Sequence, residues 1–146
     1  MFLSTNPFVA LLAGALIFVA LIGIIALVVY ILYLLSLQNA LKKVSPQNRT
    51  VEPGLVWLML IPIVGFIYCF ILYPKISESL KNEFEARNMP QSGDYGKMLG
   101  LILAISGPVQ FIGSFLPFLN IIIGLAAFVI WIMYWAKISG LKNRLS

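Results

Sequence analysis

An all-α, polytopic membrane protein is the fold class this sequence predicts, and three observations predict it. Of 146 residues, 61% are hydrophobic and only 10% are charged, against roughly 25% charged in a soluble domain. No Asp, Glu, Lys or Arg falls in residues 1–41, 53–74 or 98–136, so every charge sits in a short stretch between or after three apolar blocks. Prolines and glycines fall near the middle of the second and third blocks, where they kink or divide a helix. A transmembrane barrel would need strands of about ten residues alternating apolar and polar, and no such alternation is present. The expectation is one transmembrane domain over residues 1–146 with about four transmembrane helices.

The first block, 7–37, would be roughly 46 Å long as a helix against a hydrocarbon core of about 30 Å, so it must tilt or protrude. Asn6 before Pro7 is a good start, because Asn caps and proline at the first helical position loses no useful hydrogen bond. No basic residue precedes this block, and it is far longer than the apolar core of a signal peptide, which predicts a retained anchor. A polar connector with Lys42, Lys43, Arg49 and the turn-favouring Ser45-Pro46 follows. The second helix is expected over 53–74, kinked around Pro62 and Gly65.

Within residues 75–97, Ile76, Leu80 and Phe84 recur every four residues, which predicts an amphipathic helix near 75–88 with a Glu83–Arg87 pair one turn apart on its polar side. Met89-Pro90 should end it, and residues 91–94 read as loop. The third block, 98–136, is too long for one helix and just adequate for two. Pro108, Gly113 and Pro117 crowd its middle, predicting a tight hairpin with helices over 97–114 and 120–138.

Four crossings would put residues 38–52 on one face with three basic residues, and 75–97 plus the C-terminal tail on the other with seven. The excess of Lys and Arg then favours both termini in the cytoplasm. If the Pro62–Gly65 region makes the second block re-entrant, both connectors share a face, and all ten basic residues are cytoplasmic with the N-terminus outside.

Little in the chain points to chemistry. It contains no histidine, which removes imidazole metal sites and Ser-His or Cys-His catalysis. Four of its five acids, Glu78, Glu83, Glu85 and Asp94, lie in the central connector among basic residues and read as a solvated face. No phosphate-cradling glycine motif is present, so no enzyme activity and no cofactor are expected. Cys69 is single and excludes an internal disulfide. A net charge of +5 in so apolar a chain points to an anionic membrane surface, not to nucleic acid. No ionisable residue lies inside the blocks. Ser106, Gln110 and Ser114 are the candidate lining of a polar path, with an interhelical hydrogen bond the favoured reading of Gln110.

Helix contacts are better represented. Gly96, Gly100 and Ala104 fall at four-residue spacing, a stripe of small residues that lets two backbones approach closely and should face protein. Ala10 and Gly14 repeat the spacing on the first helix, and Gly124 and Ala127 mark the last. These suit internal packing and oligomerisation equally. Trp57, Tyr134 and Trp135 flank the blocks as candidate anchors at headgroup depth.

Taken together, several segments resemble a known group: Asn48-Arg49 with Glu52-Pro53-Gly54, Val56-Trp57-Leu58, Leu60-Ile61-Pro62, Ser79 to Phe84 with Arg87, Gly93-Asp94-Tyr95-Gly96-Lys97, and Trp131 to Ile138. Over about residues 48–140 the chain resembles a family of small uncharacterised bacterial multi-pass membrane proteins, some fused to a GYF-like domain ahead of the helices. The resemblance implies a bacterial inner-membrane protein and brings no reaction, ligand or catalytic residue. It departs from the pattern after Leu60-Ile61-Pro62, where Val64 to Tyr68 stand in place of an Asn and a Trp. The leading expectation is a non-enzymatic scaffold or accessory subunit of a membrane complex or homo-oligomer. A small oligomeric transporter or channel, and a lipid-binding or bilayer-shaping protein, are the alternatives.

Overall fold

The computed structural model describes residues 6–145. Among them are four α-helices, α1 (Pro7–Lys43), α2 (Pro62–Ala86), α3 (Lys97–Gly113) and α4 (Pro117–Arg144), two 3-10 segments, Pro46–Asn48 and Pro53–Leu60, and no strand. Helices α1, α2 and α4 are long and apolar enough to cross a membrane, and α3 is a shorter apolar helix. The chain divides into two compact units, Met1–Tyr33 and Leu34–Ser146, where a single domain is expected from the sequence.

In the first unit α1 begins as anticipated. The Asn6 side chain accepts hydrogen bonds from the Phe8 and Val9 amides, filling two donors that a helix start leaves open. Large apolar side chains from Phe8 to Val28 are exposed, the condition of a helix whose solvent is lipid. Gly14 has nothing within 4 Å of where a Cβ would stand, and Ala10 is exposed.

The second unit opens with the rest of α1, which runs six residues past the expected end at residue 37. Its final carbonyls explain the extension. Arg49 folds back so that Nε donates to the Leu41 carbonyl and Nη2 to that of Lys42, satisfying acceptors that a helix end leaves open.

The helix expected over 53–74 is corrected to two arms. A 3-10 segment, Pro53–Leu60, leads to a reversal at Ile61, and α2 then runs unbroken from Pro62 through Pro74 to Ala86. Thr50 bonds to Lys75 and Ser79, while a Cβ on Gly65 would stand 2.6 Å from the Met59 carbonyl oxygen. The arms are therefore antiparallel, and only glycine permits the crossing near their tip. The amphipathic helix expected over 75–88 is the second half of α2, with Ile76, Leu80 and Phe84 fully buried. It ends as a Schellman turn: the Asn88 amide donates to Glu85 and the Met89 amide to Phe84, with Asn88 left-handed at φ 57°.

Asp94 accepts from the Gly96 and Met98 amides at the start of α3. Helices α3 and α4 form the expected hairpin, but its turn is Ser114–Leu116 and α4 starts at Pro117, not Asn120. Proline is pre-set for a first helical turn, which leaves Asn120 inside the helix.

Candidate functional site

The small-residue stripe packs the second unit together. Gly96, Gly100 and Ala104 are all buried. A Cβ on Gly100 would stand 2.7 Å from the Tyr73 Cβ and 3.3 Å from Tyr134 Cε2, and one on Gly96 would meet Tyr134, Lys137 and Ile138. The stripe thus faces α2 on one side and α4 on the other, within one chain. Gly124 lies near Gln110, whose Oε1 is 4.0 Å from a Cβ position there, and Ala127 is half-buried.

Tyr134 is not an interface anchor. It is fully buried, in edge-to-face contact with Tyr73 at 4.8 Å between ring centroids, because the glycines of α3 leave a slot that its ring fills. Trp57 and Trp135 are half-buried, and their indole N–H groups donate inward, to Gln38 Oε1 and Ser36 Oγ of α1. Nothing in the sequence indicates that α1 supplies their acceptors.

Ser106 and Gln110 lie within α3, and Ser114 immediately follows its end. The two hydroxyls donate to carbonyls of their own helix, Ser106 to Leu103 and Ser114 to Phe111, and Ser114 is exposed among apolar neighbours.

The structure gathers its polar chemistry elsewhere, around Glu83. Oε2 accepts from the Ser45 amide at 2.9 Å and Asn48 Nδ2 at 2.7 Å, and Oε1 from Ser45 Oγ at 2.9 Å and Arg87 Nε at 2.8 Å. Burial pushes the Glu83 carboxyl up, but the bonds from Asn48, the Ser45 amide, Arg87 and the Ser45 hydroxyl outweigh it and bring the pKa from 4.5 to about 2. Each oxygen already holds two donors, so this carboxylate is a fixed anion and not a proton carrier. Arg87 continues the network, donating from Nη1 to the Leu145 carbonyl and from Nη2 to the Lys43 carbonyl.

The clasp ties the end of α1, the connector 45–50, the end of α2 and the end of α4 into one cluster. Beneath it lie Leu41, Val44, Leu80, Phe84, Ile138 and Leu141, all buried. The expectation that residues 38–52 and 75–97 lie on opposite faces is therefore corrected: Ser45 and Asn48 are in hydrogen-bond contact with Glu83. The Glu83–Arg87 pair was legible from its spacing, but the partners 35 and 38 residues away carry no signal in sequence.

What these features define is an all-helical protein with three helices suited to a membrane and a polar clasp at one end of the second unit. Compared with known proteins, the chain matches no family model, no curated protein and no solved structure. No group of three or more His, Cys, Asp or Glu among the described residues could hold a metal ion.

Proposed function

We propose that the chain is a non-enzymatic integral protein of a bacterial inner membrane, serving as a scaffold or accessory subunit that packs with copies of itself or with a larger membrane complex. The observation that carries this reading is the clasp, which devotes a buried carboxylate and its four donors to fastening four chain segments and leaves that carboxylate no capacity for proton transfer. The resemblance over residues 48–140 supports the bacterial membrane setting. The exposed apolar surface of α1, with Ala10 and Gly14 unengaged, supports association with other helices.

In the proposed topology the arms of the second block enter and leave by one face. The 3-10 arm has eight residues and at about 2 Å per residue reaches roughly half-way through a hydrocarbon core of about 30 Å. The hairpin α3–α4 returns to the same face, so all ten Lys and Arg lie there, which the positive-inside rule makes cytoplasmic. Crossing by α1 then puts the N-terminus outside.

Crosslinking in native membranes followed by mass spectrometry tests the functional reading, with adducts to a second copy or a defined partner expected; a strictly monomeric protein without partners overturns it. Labelling of Gln47→Cys, Ser92→Cys and Asn143→Cys with an impermeant reagent, each in a Cys69→Ser background, tests the topology. All three should react from the cytoplasmic side only, and reaction of Gln47→Cys from the opposite side to the other two overturns it.

A further inference from the structure

A cleft of about 390 Å³ lies outside the clasp, between one face of α2 and the loop that starts α3. Glu78 and Lys81 stand on the α2 wall, and Asp94 and Lys97 on the loop wall. The floor is tied down, since Ser77 Oγ donates to the Tyr95 carbonyl at 3.0 Å and both residues are buried. The loop is built to hold this wall, because Gly93, Tyr95 and Gly96 all take left-handed backbone angles.

The charges of the cleft differ in what they already hold. Asp94 has both carboxylate oxygens on backbone amides at the start of α3, those of Gly96 and Met98. Glu78, Lys81 and Lys97 are exposed, and none forms a salt bridge with another described residue. Two cations and one carboxylate thus converge without mutual pairing. Their level in the chain is also defined, since Pro74 ends one uncharged stretch and Lys97 immediately precedes the other. In a membrane protein that is the depth of lipid headgroups, where basic pockets meet lipid phosphates.

We propose that this cleft binds the headgroup of a phospholipid carrying both a phosphate and a primary amine, the phosphate engaging Lys81 and Lys97 from opposite walls and the ammonium engaging Glu78. A phosphate alone would satisfy the lysines and leave Glu78 beside like charge. An amine one short linker away supplies the missing partner, and its N–H groups can donate where a quaternary ammonium cannot. The inference rests on the membrane reading above.

Native mass spectrometry of the full chain released from detergent or nanodiscs, supplied with phosphatidylethanolamine, phosphatidylcholine and phosphatidylglycerol in turn, tests it. The wild-type chain should retain the ethanolamine lipid best. Lys81→Ala and Lys97→Ala should each lower retention roughly fivefold, while Glu78→Gln should abolish the preference for ethanolamine over choline. Thermal melting of each variant confirms that it folds, and Lys42→Ala, outside the cleft, should change nothing. Soluble glycerophosphoethanolamine should not be retained, and its binding as tightly as the lipid would overturn the assignment to a membrane ligand. Equal retention of the three lipids, or variants indistinguishable from wild type, would overturn the site while leaving the membrane reading intact. A chain that stays folded and dispersed without detergent would overturn both.

Discussion

Ser45 offers Glu83 both its backbone amide and its hydroxyl, one to each carboxylate oxygen and each at 2.9 Å. A residue in the connector after α1 thereby fixes a carboxylate near the end of α2, and through Arg87 the end of α4. Neutralising that carboxylate leaves Arg87 without its charged partner and Asn48 and Ser45 with weaker acceptors. Glu83→Gln should therefore destabilise the fold by about 2–3 kcal/mol, read as a lowered melting temperature in detergent. The exposed neighbour Glu85→Gln should change it little.

The same carboxylate sets an acid limit. Its pKa is depressed in the folded state, from 4.5 to about 2, so its contribution is fully present above pH 4.5 and is lost as the pH falls through 2. The shift corresponds to on the order of 3 kcal/mol, Glu83 being almost wholly buried. An acid titration of thermal stability should drop across that window in the wild type, and the drop should vanish in Glu83→Gln.

Close approach at α3 makes its glycines unequal to those of α1. Gly100→Ala would press its Cβ onto Tyr73 and should cost about 1–3 kcal/mol. Gly14→Ala meets nothing and should be neutral or slightly stabilising. Comparative melting of the two variants decides whether the stripe packs within the chain.

At the tip of the two arms, Gly65→Ala sets a Cβ against backbone, which has no rotamer to give. Loss of at least about 2 kcal/mol is expected, together with increased protease or label access at residues 60–63. Unchanged stability would mean that Met59 and Gly65 do not lie together, and the proposed re-entrant arm would fall with it.

A hydroxyl whose proton is held by its own helix has only its lone pairs to offer a conduction path. Ser106→Ala and Ser114→Ala should therefore leave ion flux through reconstituted vesicles unchanged. A fall in flux for either variant would revive the channel reading.

Much of this architecture was legible in the sequence. Uncharged stretches and prolines marked an all-helical chain and the hairpin of α3 and α4, Asn6-Pro7 the start of α1, and the four-residue spacing of Gly96, Gly100 and Ala104 a face that proved to be buried. What was hidden depends on contacts distant along the chain. Hydropathy has no means of separating a kinked crossing from a hairpin, because Pro62 and Gly65 serve both; the difference is Thr50 lying against Ser79. Tyr134 carries the composition of an interface residue, and only the slot opened by Gly100 makes it core. Arg49 looked like a topology signal, yet its guanidinium holds the last carbonyls of α1 and so lengthens that helix.

The carbonyl that Arg87 holds through Nη1 lies 58 residues downstream, and the whole of α3 and of α4 is made in between. During biosynthesis, then, Glu83 has its donors from Ser45, Asn48 and Arg87 early, and it is Arg87 that waits for its last acceptor until the final helix has doubled back. The fastening of α4 comes last, and a ribosome stalled inside α4 leaves a chain that lacks this one link.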